Sequence, residues 1–305
     1  MSAAPKRNGL TVVVTGASSG FGKGVAQQLA EEGANVVVAA RRTALLKELA
    51  TGSGPNVLAV TTDISKERDV EKLLDAAVEA FGGVDVWING AGLGIIGPFT
   101  DTPLRDANRL VETNLLGTMY GSYYALRQFQ KQKRGTLISL SSFVSQVPLP
   151  YGAVYTATKF AITGLSAGLY REMKLEKYDN IHVCTVQPWV TDTPWTEHAA
   201  NYSGHVIELG PVDAPENVIA AIIGLIDEPK ENIDIGFKAK GAIAICQVMP
   251  GLVQKLNGQS LLAMLKAAPP APDTSGSLHE PVAEGTGVSG DMRKRLKRKL
   301  TDTKE

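Results

Sequence analysis

The chain has 305 residues, 44% of them apolar or aromatic, with 31 basic and 31 acidic side chains that leave no formal net charge. That is enough for one large domain or two small ones with a substantial core, and the balanced charge excludes a whole-molecule bias toward nucleic acid or acidic surfaces. Two cysteines, Cys184 and Cys246, exclude a disulfide framework and suit buried thiols in a reducing compartment, so a cytoplasmic location is expected.

Residues 1–9 read as a short leader that carries Lys6 and Arg7 and lacks the apolar centre of a signal peptide. No uncharged apolar run approaches the ~20 residues that span a bilayer. An apolar, β-branched run at 10–14 meets Thr15-Gly16-Ala17-Ser18-Ser19-Gly20-Phe21-Gly22, and helical character follows at 23–32. Strand, glycine turn, helix is the order of a dinucleotide site. The glycines let the backbone, with Ser18, Ser19 and Phe21, approach a pyrophosphate whose charge the helix N-terminus favours.

The second strand, 35–40, ends in Arg41-Arg42 and carries no acid where a carboxylate would bond a ribose 2′-hydroxyl. A guanidinium there pairs with a 2′-phosphate, which favours NADP (NADPH) over NAD. The alternative is that the pair only starts a solvated helix through 45–50. A third strand at 57–62 delivers Asp63 and Ile64 to the adenine end, while Asp63 or Ser65 is also placed to cap a helix at 66–81. The fourth strand, 84–88, opens into Asn89-Gly90-Ala91-Gly92, small enough for a cofactor to lie close to the strand end.

A long helix is predicted over 103–133, with Pro103 near its first turn. Asn114 and Gly117 are poor interior helix formers, which points to a task for Asn114 or to a satisfied core amide. A strand at 137–140 leads to Ser142 and then to Tyr155-Thr156-Ala157-Thr158-Lys159. Residues four apart share a helix face, so Lys159 can sit beneath the Tyr155 ring and favour its phenolate, moving a phenol of ordinary pKa ~10 toward acid–base work. Ser142 can donate a second hydrogen bond to the same substrate oxygen.

The helix runs on through 160–176, where Ala161, Gly164, Ala167 and Gly168 allow close packing on the sheet or on another subunit; a homodimer or homotetramer is expected. A sixth strand at 181–186 leads to Pro188-Trp189-Val190-Thr191-Asp192-Thr193. Residues 194–209 read as a loop or broken helix over a site. His198 and His205 there lack ligand spacing, so no metal site is expected. A helix at 212–227 with Asp213 as its cap precedes a seventh strand at 232–237.

Strands alternating with helices define an α/β chain: a Rossmann-type doubly wound, seven-stranded parallel sheet flanked by helices, occupying residues 10–240. A C-terminal helical extension, 241–267, contains apolar or amphipathic helices at 242–249 and 252–265. They cover the sheet end or a subunit interface, or make peripheral contact with a membrane. Residues 268–305 form a Pro/Gly-rich arm, extended or disordered, or folded across a neighbouring subunit. It ends in a basic cluster at 293–299, read as a solvated face or an anion-binding patch, with nucleic acid not expected as a partner.

Taken together, Thr15-Gly16-x-x-x-Gly20-x-Gly22, Asp63, Asn89-x-Ala91-Gly92, Asn114, Ser142, Tyr155-x-x-x-Lys159 and the 188–193 segment resemble the motif set of the short-chain dehydrogenase/reductase family, in its compact single-domain branch, over about 10–237. The resemblance implies an NADP-dependent enzyme that interconverts a small-molecule carbonyl compound and an alcohol by hydride transfer. It implies Tyr155 as general acid or base, Lys159 lowering its pKa and bonding the nicotinamide ribose, and Ser142 orienting the substrate oxygen. Asn114 would hold a relay water, and Pro188, Thr191 and Thr193 would fix the carboxamide. The chain departs from the family at Gly90, where Asn is usual, and at Trp189, where Gly is usual; Trp189 either walls the pocket or packs outward. Rival readings are a non-catalytic NADP-binding regulator or scaffold, and an epimerase or dehydratase on the same fold.

Overall fold

The computed structural model describes residues 7–302. In strand β1 (Thr11–Thr15), Val12 and Val14 enter one hydrophobic core and Val13 enters another. In β2 (Asn35–Ala40), Val36 and Val38 part from Val37 in the same way. Side chains alternate across a strand, so a β-branched run with no polar face needs cover on both sides. Five further strands join these: β3 (Val57–Thr61), β4 (Val86–Asn89), then β6 (Gly135–Leu140), β7 (Ile181–Pro188) and β9 (Asn232–Ile235). All pairings are parallel and the order is β3-β2-β1-β4-β6-β7-β9. The short strands β5 (Ile95–Ile96) and β8 (Ala200–Asn201), which the sequence did not announce, pair separately.

Helices α1 (Gly20–Glu31), α2 (Thr43–Ser53) and α8 (Pro215–Asp227) cover one face through Leu29, Leu46 and Ile222. Helices α3 (Glu67–Phe81), α5 (Gly117–Gln132) and α6 (Ala153–Leu175) cover the other through Leu73, Phe129 and Met173. Burying a side chain such as Phe129 completely stabilises the fold by about 2–3 kcal/mol. In α3 the buried Val70, Leu73, Leu74 and Ala77 follow helical spacing, Glu67 and Asp69 suit the positive first turn, and Gly82, at φ 79°, closes the helix in the left-handed region. Neither Asp63 nor Ser65 caps α3: the Asp63 carboxylate accepts instead from Arg109 at 2.8 Å and from the Ser65 amide at 3.1 Å.

The long helix expected at 103–133 is α4 (Leu104–Val111) and α5 joined by one π-helical turn, Glu112–Leu116, which holds Asn114. Helix α7 (Trp195–His198) is the short helix of the 194–209 segment. Helix α8 starts at Pro215, so Asp213 is not its cap. The Asp213 carboxylate pairs with Lys238 Nζ at 2.5 Å. The seventh sheet strand ends at Ile235, and Phe237, 92% exposed, opens α9 (Phe237–Val248), followed by α10 (Pro250–Ala267). Within the expected leader, Arg7 is buried and anchored, bonding Glu32 at 2.6 Å and Asp227 at 2.7 Å; residues 1–6 lie outside the described residues.

The largest difference from expectation lies after α10. Residues 268–291 lie on this chain as a strap. Asn201 and Thr274 exchange backbone hydrogen bonds, Ser277 N donates to His198 O, and Gly287 O accepts from Gly20 N at 2.9 Å. The basic cluster beyond it belongs to helix α11 (Met292–Asp302). The buried Asp192 carboxylate serves the start of α11, accepting from Met292 N at 2.8 Å and Arg293 N at 3.3 Å, as an anion suits a helix N-terminus.

Candidate active site

β1 and β4 are neighbours in the sheet, and their connections leave toward opposite faces. Such a switch point opens a crevice at the carboxyl ends of the strands. Gly16, at φ 75°, turns out of β1 so close to the turn after β4 that a Cβ there would lie 2.7 Å from Ala91 Cα. Thr15 Oγ1 ties the turns together, accepting from Gly90 N at 3.0 Å and Ala91 N at 3.3 Å. A side chain at 90 would begin 2.7 Å from Thr15 O, which gives Gly90 a steric reason.

The resulting cleft has about 950 Å³ of open space and is lined by Gly16, Ser18, Ser19, Gly20, Phe21, Gly22, Arg41, Arg42, Asp63, Ile64, Ala91, Gly92 and Thr193. Asn89 is not among them: its side-chain amide donates to Ser122 and Ser139 and accepts from Trp87 Nε1 at 2.8 Å, locking β4 to its neighbours. Burial raises the Asp63 carboxyl, but its bonds to Arg109 and Ser65 outweigh this and hold it below the usual carboxylate range. The cleft fits a dinucleotide. Its floor is glycine, no acid occupies the first turn of α1, and Thr113 Oγ1, buried in the cleft wall, has no partner among the described residues.

A second cavity, with about 1150 Å³ of open space, joins the cleft: Phe21, Gly90, Gly92, Thr193 and Trp195 line both. Its walls are apolar, formed by Phe143, Leu149, Trp189, Trp195, Leu261 and Met264, and Pro188, Thr191, Ser142, Tyr155 and Lys159 also line it. Trp189 is a wall residue, stacked on Phe143 at 4.3 Å with its indole N–H donating to Pro211 O at 2.9 Å. Trp195 was not singled out by any motif. Its ring centre lies 5.1 Å from that of Tyr155, seated against Gly94, where no larger residue leaves room.

Tyr155 and Lys159 occupy successive turns at the start of α6, and Lys159 Nζ lies 5.7 Å from the Tyr155 ring centre. The ammonium donates to Leu140 O at 2.8 Å. Burial pushes the phenol up to about 12, with the Ser142 hydroxyl working in the opposite direction, and pushes Lys159 down to about 8. Removal of both groups from water dominates these two directions. Ser142 Oγ accepts from Val144 N at 3.4 Å at the cavity edge, whereas the Ser141 hydroxyl is engaged by α6, donating to Lys159 O at 3.0 Å. Asn114, wholly buried, accepts from Leu93 N at 2.9 Å and donates to Leu93 O at 3.0 Å and Thr158 Oγ1 at 3.1 Å. A Cβ on Gly92 would sit 3.6 Å from both Asn114 Oδ1 and Lys159 Nζ, which places these two groups on one side of the cleft.

The family model for short chain dehydrogenases matches residues 10–202. The chain belongs to this family. An uncharacterised oxidoreductase of Bacillus subtilis is 32% identical over 253 residues, covering 80% of this chain and 70% of the relative. The 3β-hydroxysteroid dehydrogenase 1 of Eggerthella lenta is 34% identical over 235 residues, covering 72% of this chain and 87% of the relative. Among solved structures, a short-chain dehydrogenase from Streptomyces avermitilis superposes with a TM-score of 0.71 at 26% identity, covering 84% of this chain and 98% of that one. The 3-ketoacyl-(acyl-carrier-protein) reductase of Brucella melitensis, complexed with NADH, gives 0.66 at 25% identity, covering 76% and 99%.

In this short-chain dehydrogenase the family match ends before the strap, and the strap reaches the motif residues. Arg41 donates to Leu278 O at 3.2 Å, to His279 O at 3.0 Å and to Ser277 O. Arg42 donates to Glu284 O at 3.0 Å and to Ser18 Oγ at 3.1 Å, and Lys23 to Thr286 O at 3.0 Å. Among the described residues no cluster of three His, Cys, Asp or Glu could hold a metal, and no helix is long and apolar enough to cross a membrane.

Proposed function

We propose that this short-chain dehydrogenase is an NADP-dependent enzyme that interconverts a bulky, lipophilic ketone or aldehyde and its alcohol, with Tyr155 as general acid and base. The observation that carries this reading is the junction of the two cavities: Tyr155, Ser142 and Lys159 line the apolar cavity where it meets the glycine-floored cleft. Arg41 and Arg42 at the end of β2, with no acid beside them in sequence, support NADP.

A bound nicotinamide dinucleotide supplies or accepts the hydride. The Tyr155 hydroxyl gives its proton to the carbonyl oxygen in reduction and takes it back in oxidation. Ser142 donates a second hydrogen bond to that oxygen, fixing its position. Burial favours the protonated phenol, which suits reduction, and oxidation needs the phenolate. Lys159 supports negative charge on the phenol while it is itself protonated, below about 8. Asn114, bonded to Leu93 and Thr158, holds the π-helical turn against α6 and so keeps Tyr155 and Lys159 in register.

Lys159 is the single charged side chain lining the apolar cavity among the described residues, so its walls favour a large uncharged substrate body. The likeness to a 3β-hydroxysteroid dehydrogenase supports the same substrate class. Exposed Met119 and Tyr123 on α5 and Phe160 on α6 support a homodimer or homotetramer, which sedimentation measures. NADPH oxidation against carbonyl compounds graded in size and charge tests the function. Turnover is expected with bulky apolar ketones or aldehydes. NADPH binding without turnover of any carbonyl would favour a non-catalytic regulator.

A further inference from the structure

Arg41 and Arg42 face an unusual set of partners. Each guanidinium has five N–H donors and carries a permanent charge, yet among the described residues neither has a carboxylate at ion-pair distance. Both are half-buried. The acceptors in front of them are neutral backbone carbonyls of the strap: Ser277, Leu278 and His279 for Arg41, and Val282, Glu284 and Gly285 for Arg42. Arg42 completes its set with Ser18, through Nε to the hydroxyl at 3.1 Å and Nη2 to the carbonyl at 3.3 Å. Its donors are thus all directed to protein oxygens. Two cations turned toward neutral carbonyls form a site that a phosphate would satisfy better, since it adds an opposite charge and bidentate geometry to bonds in which only the donor is now ionised.

We propose that residues 277–285 are an internal ligand of the 2′-phosphate site. Strap carbonyls and the 2′-phosphate of the cofactor share the Arg41 and Arg42 donors, so a 2′-phosphorylated dinucleotide releases residues 280–285 and a dinucleotide with a free 2′-hydroxyl leaves them closed. This rests on the reading of the cleft as a dinucleotide site. Residues 277–279 stay anchored, with Leu278 buried in a core cluster, Arg109 donating to Leu278 O at 3.0 Å and His279 held by Asp106 at 2.9 Å, so the stretch that moves is 280–285. The two ends of the strap are fixed elsewhere, by the Asn201–Thr274 backbone pair and by Asp192, which holds Ser289 Oγ at 3.1 Å and the start of α11. Between them Gly285 (φ 65°) takes a left-handed conformation that suits a hinge. The strap therefore sets the discrimination between the two cofactors along with the arginines: it is a competitor that only the phosphorylated one must displace.

Hydrogen exchange of the 280–285 segment in the full chain, with saturating NADPH or saturating NADH, tests the proposal. Faster exchange with NADPH than with NADH is expected. Strap protection by NADPH equal to or greater than that by NADH would overturn it, since the segment would then be a plain cover. The second arm is Gly285→Val, since a β-branched side chain is strained at φ 65° and lifts this stretch. With folding checked by circular dichroism, NADPH affinity should rise about tenfold while NADH affinity stays put, a coupling of ordinary allosteric size. Equal change for both cofactors would overturn the proposal. If neither dinucleotide binds the wild type or the variant, the dinucleotide reading itself fails and takes the proposal with it. If both bind and the strap responds to neither, only the strap proposal falls.

Discussion

Lys159 Nζ lies 5.7 Å from the centre of the Tyr155 ring but donates its hydrogen bond to Leu140 O, at 2.8 Å. One helical turn brings the two groups together, and burial then acts on each toward its neutral form: the phenol up to about 12, the ammonium down to about 8. The pair is a poised acid beside a readily neutralised cation.

This pairing has a signature in stability. Between about pH 8 and 10.5 the native Lys159 has released its proton while the unfolded chain still holds it. The unfolded state then binds more protons, and stability rises with pH. Above pH 10 the native Tyr155 keeps a proton that the unfolded chain loses, and stability falls toward pH 12. Urea unfolding at pH 7.5 and 9.5 should show Lys159→Met lacking the rise that the wild type shows. An identical rise in both would place its origin elsewhere.

Arg41→Ala should weaken NADPH binding far more than NADH binding, by about tenfold or more, because hydrogen bonds to charged groups contribute about 1.5–3 kcal/mol. Fluorescence titration with both cofactors measures it. Parallel weakening of both would give Arg41 a general structural role in holding the strap.

Met264, on α10, faces the apolar cavity from outside the segment matched by the family model. Met264→Ala should raise KM for the largest apolar substrates and leave NADPH affinity unchanged. Steady-state kinetics on a size-graded ketone series decides this, and a uniform fall in kcat across the series would argue against a substrate wall.

The succession of strands and the one-turn spacing of Tyr155 and Lys159 were readable because they depend on local pattern, β-branched runs for buried strands and four residues for one helical turn, while Ser142 was reached through the family resemblance. Asn114 announced itself as a misfit in a helix, though the π-helical turn that accommodates it did not. Asn89 carried the same motif signal as Ala91 and Gly92 but turns inward, since Trp87, Ser122 and Ser139, distant or neutral in the motif, claim its amide. The strap was illegible for a physical reason. Its order comes from its backbone carbonyls meeting the side chains of Lys23, Arg41 and Arg42 more than two hundred positions earlier, and a carbonyl leaves no mark in sequence. The basic cluster likewise becomes helical beside a remote carboxylate, Asp192, rather than through a cap in its own stretch.

The most direct test of the whole account is Tyr155→Phe, which removes one oxygen from the junction of the two cavities. Single-turnover NADPH oxidation with a reactive apolar ketone should fall by about a hundredfold or more, the usual worth of a positioned proton donor, while NADPH binding is retained. Turnover within a few-fold of the wild type would remove Tyr155 from the chemistry and contradict the account.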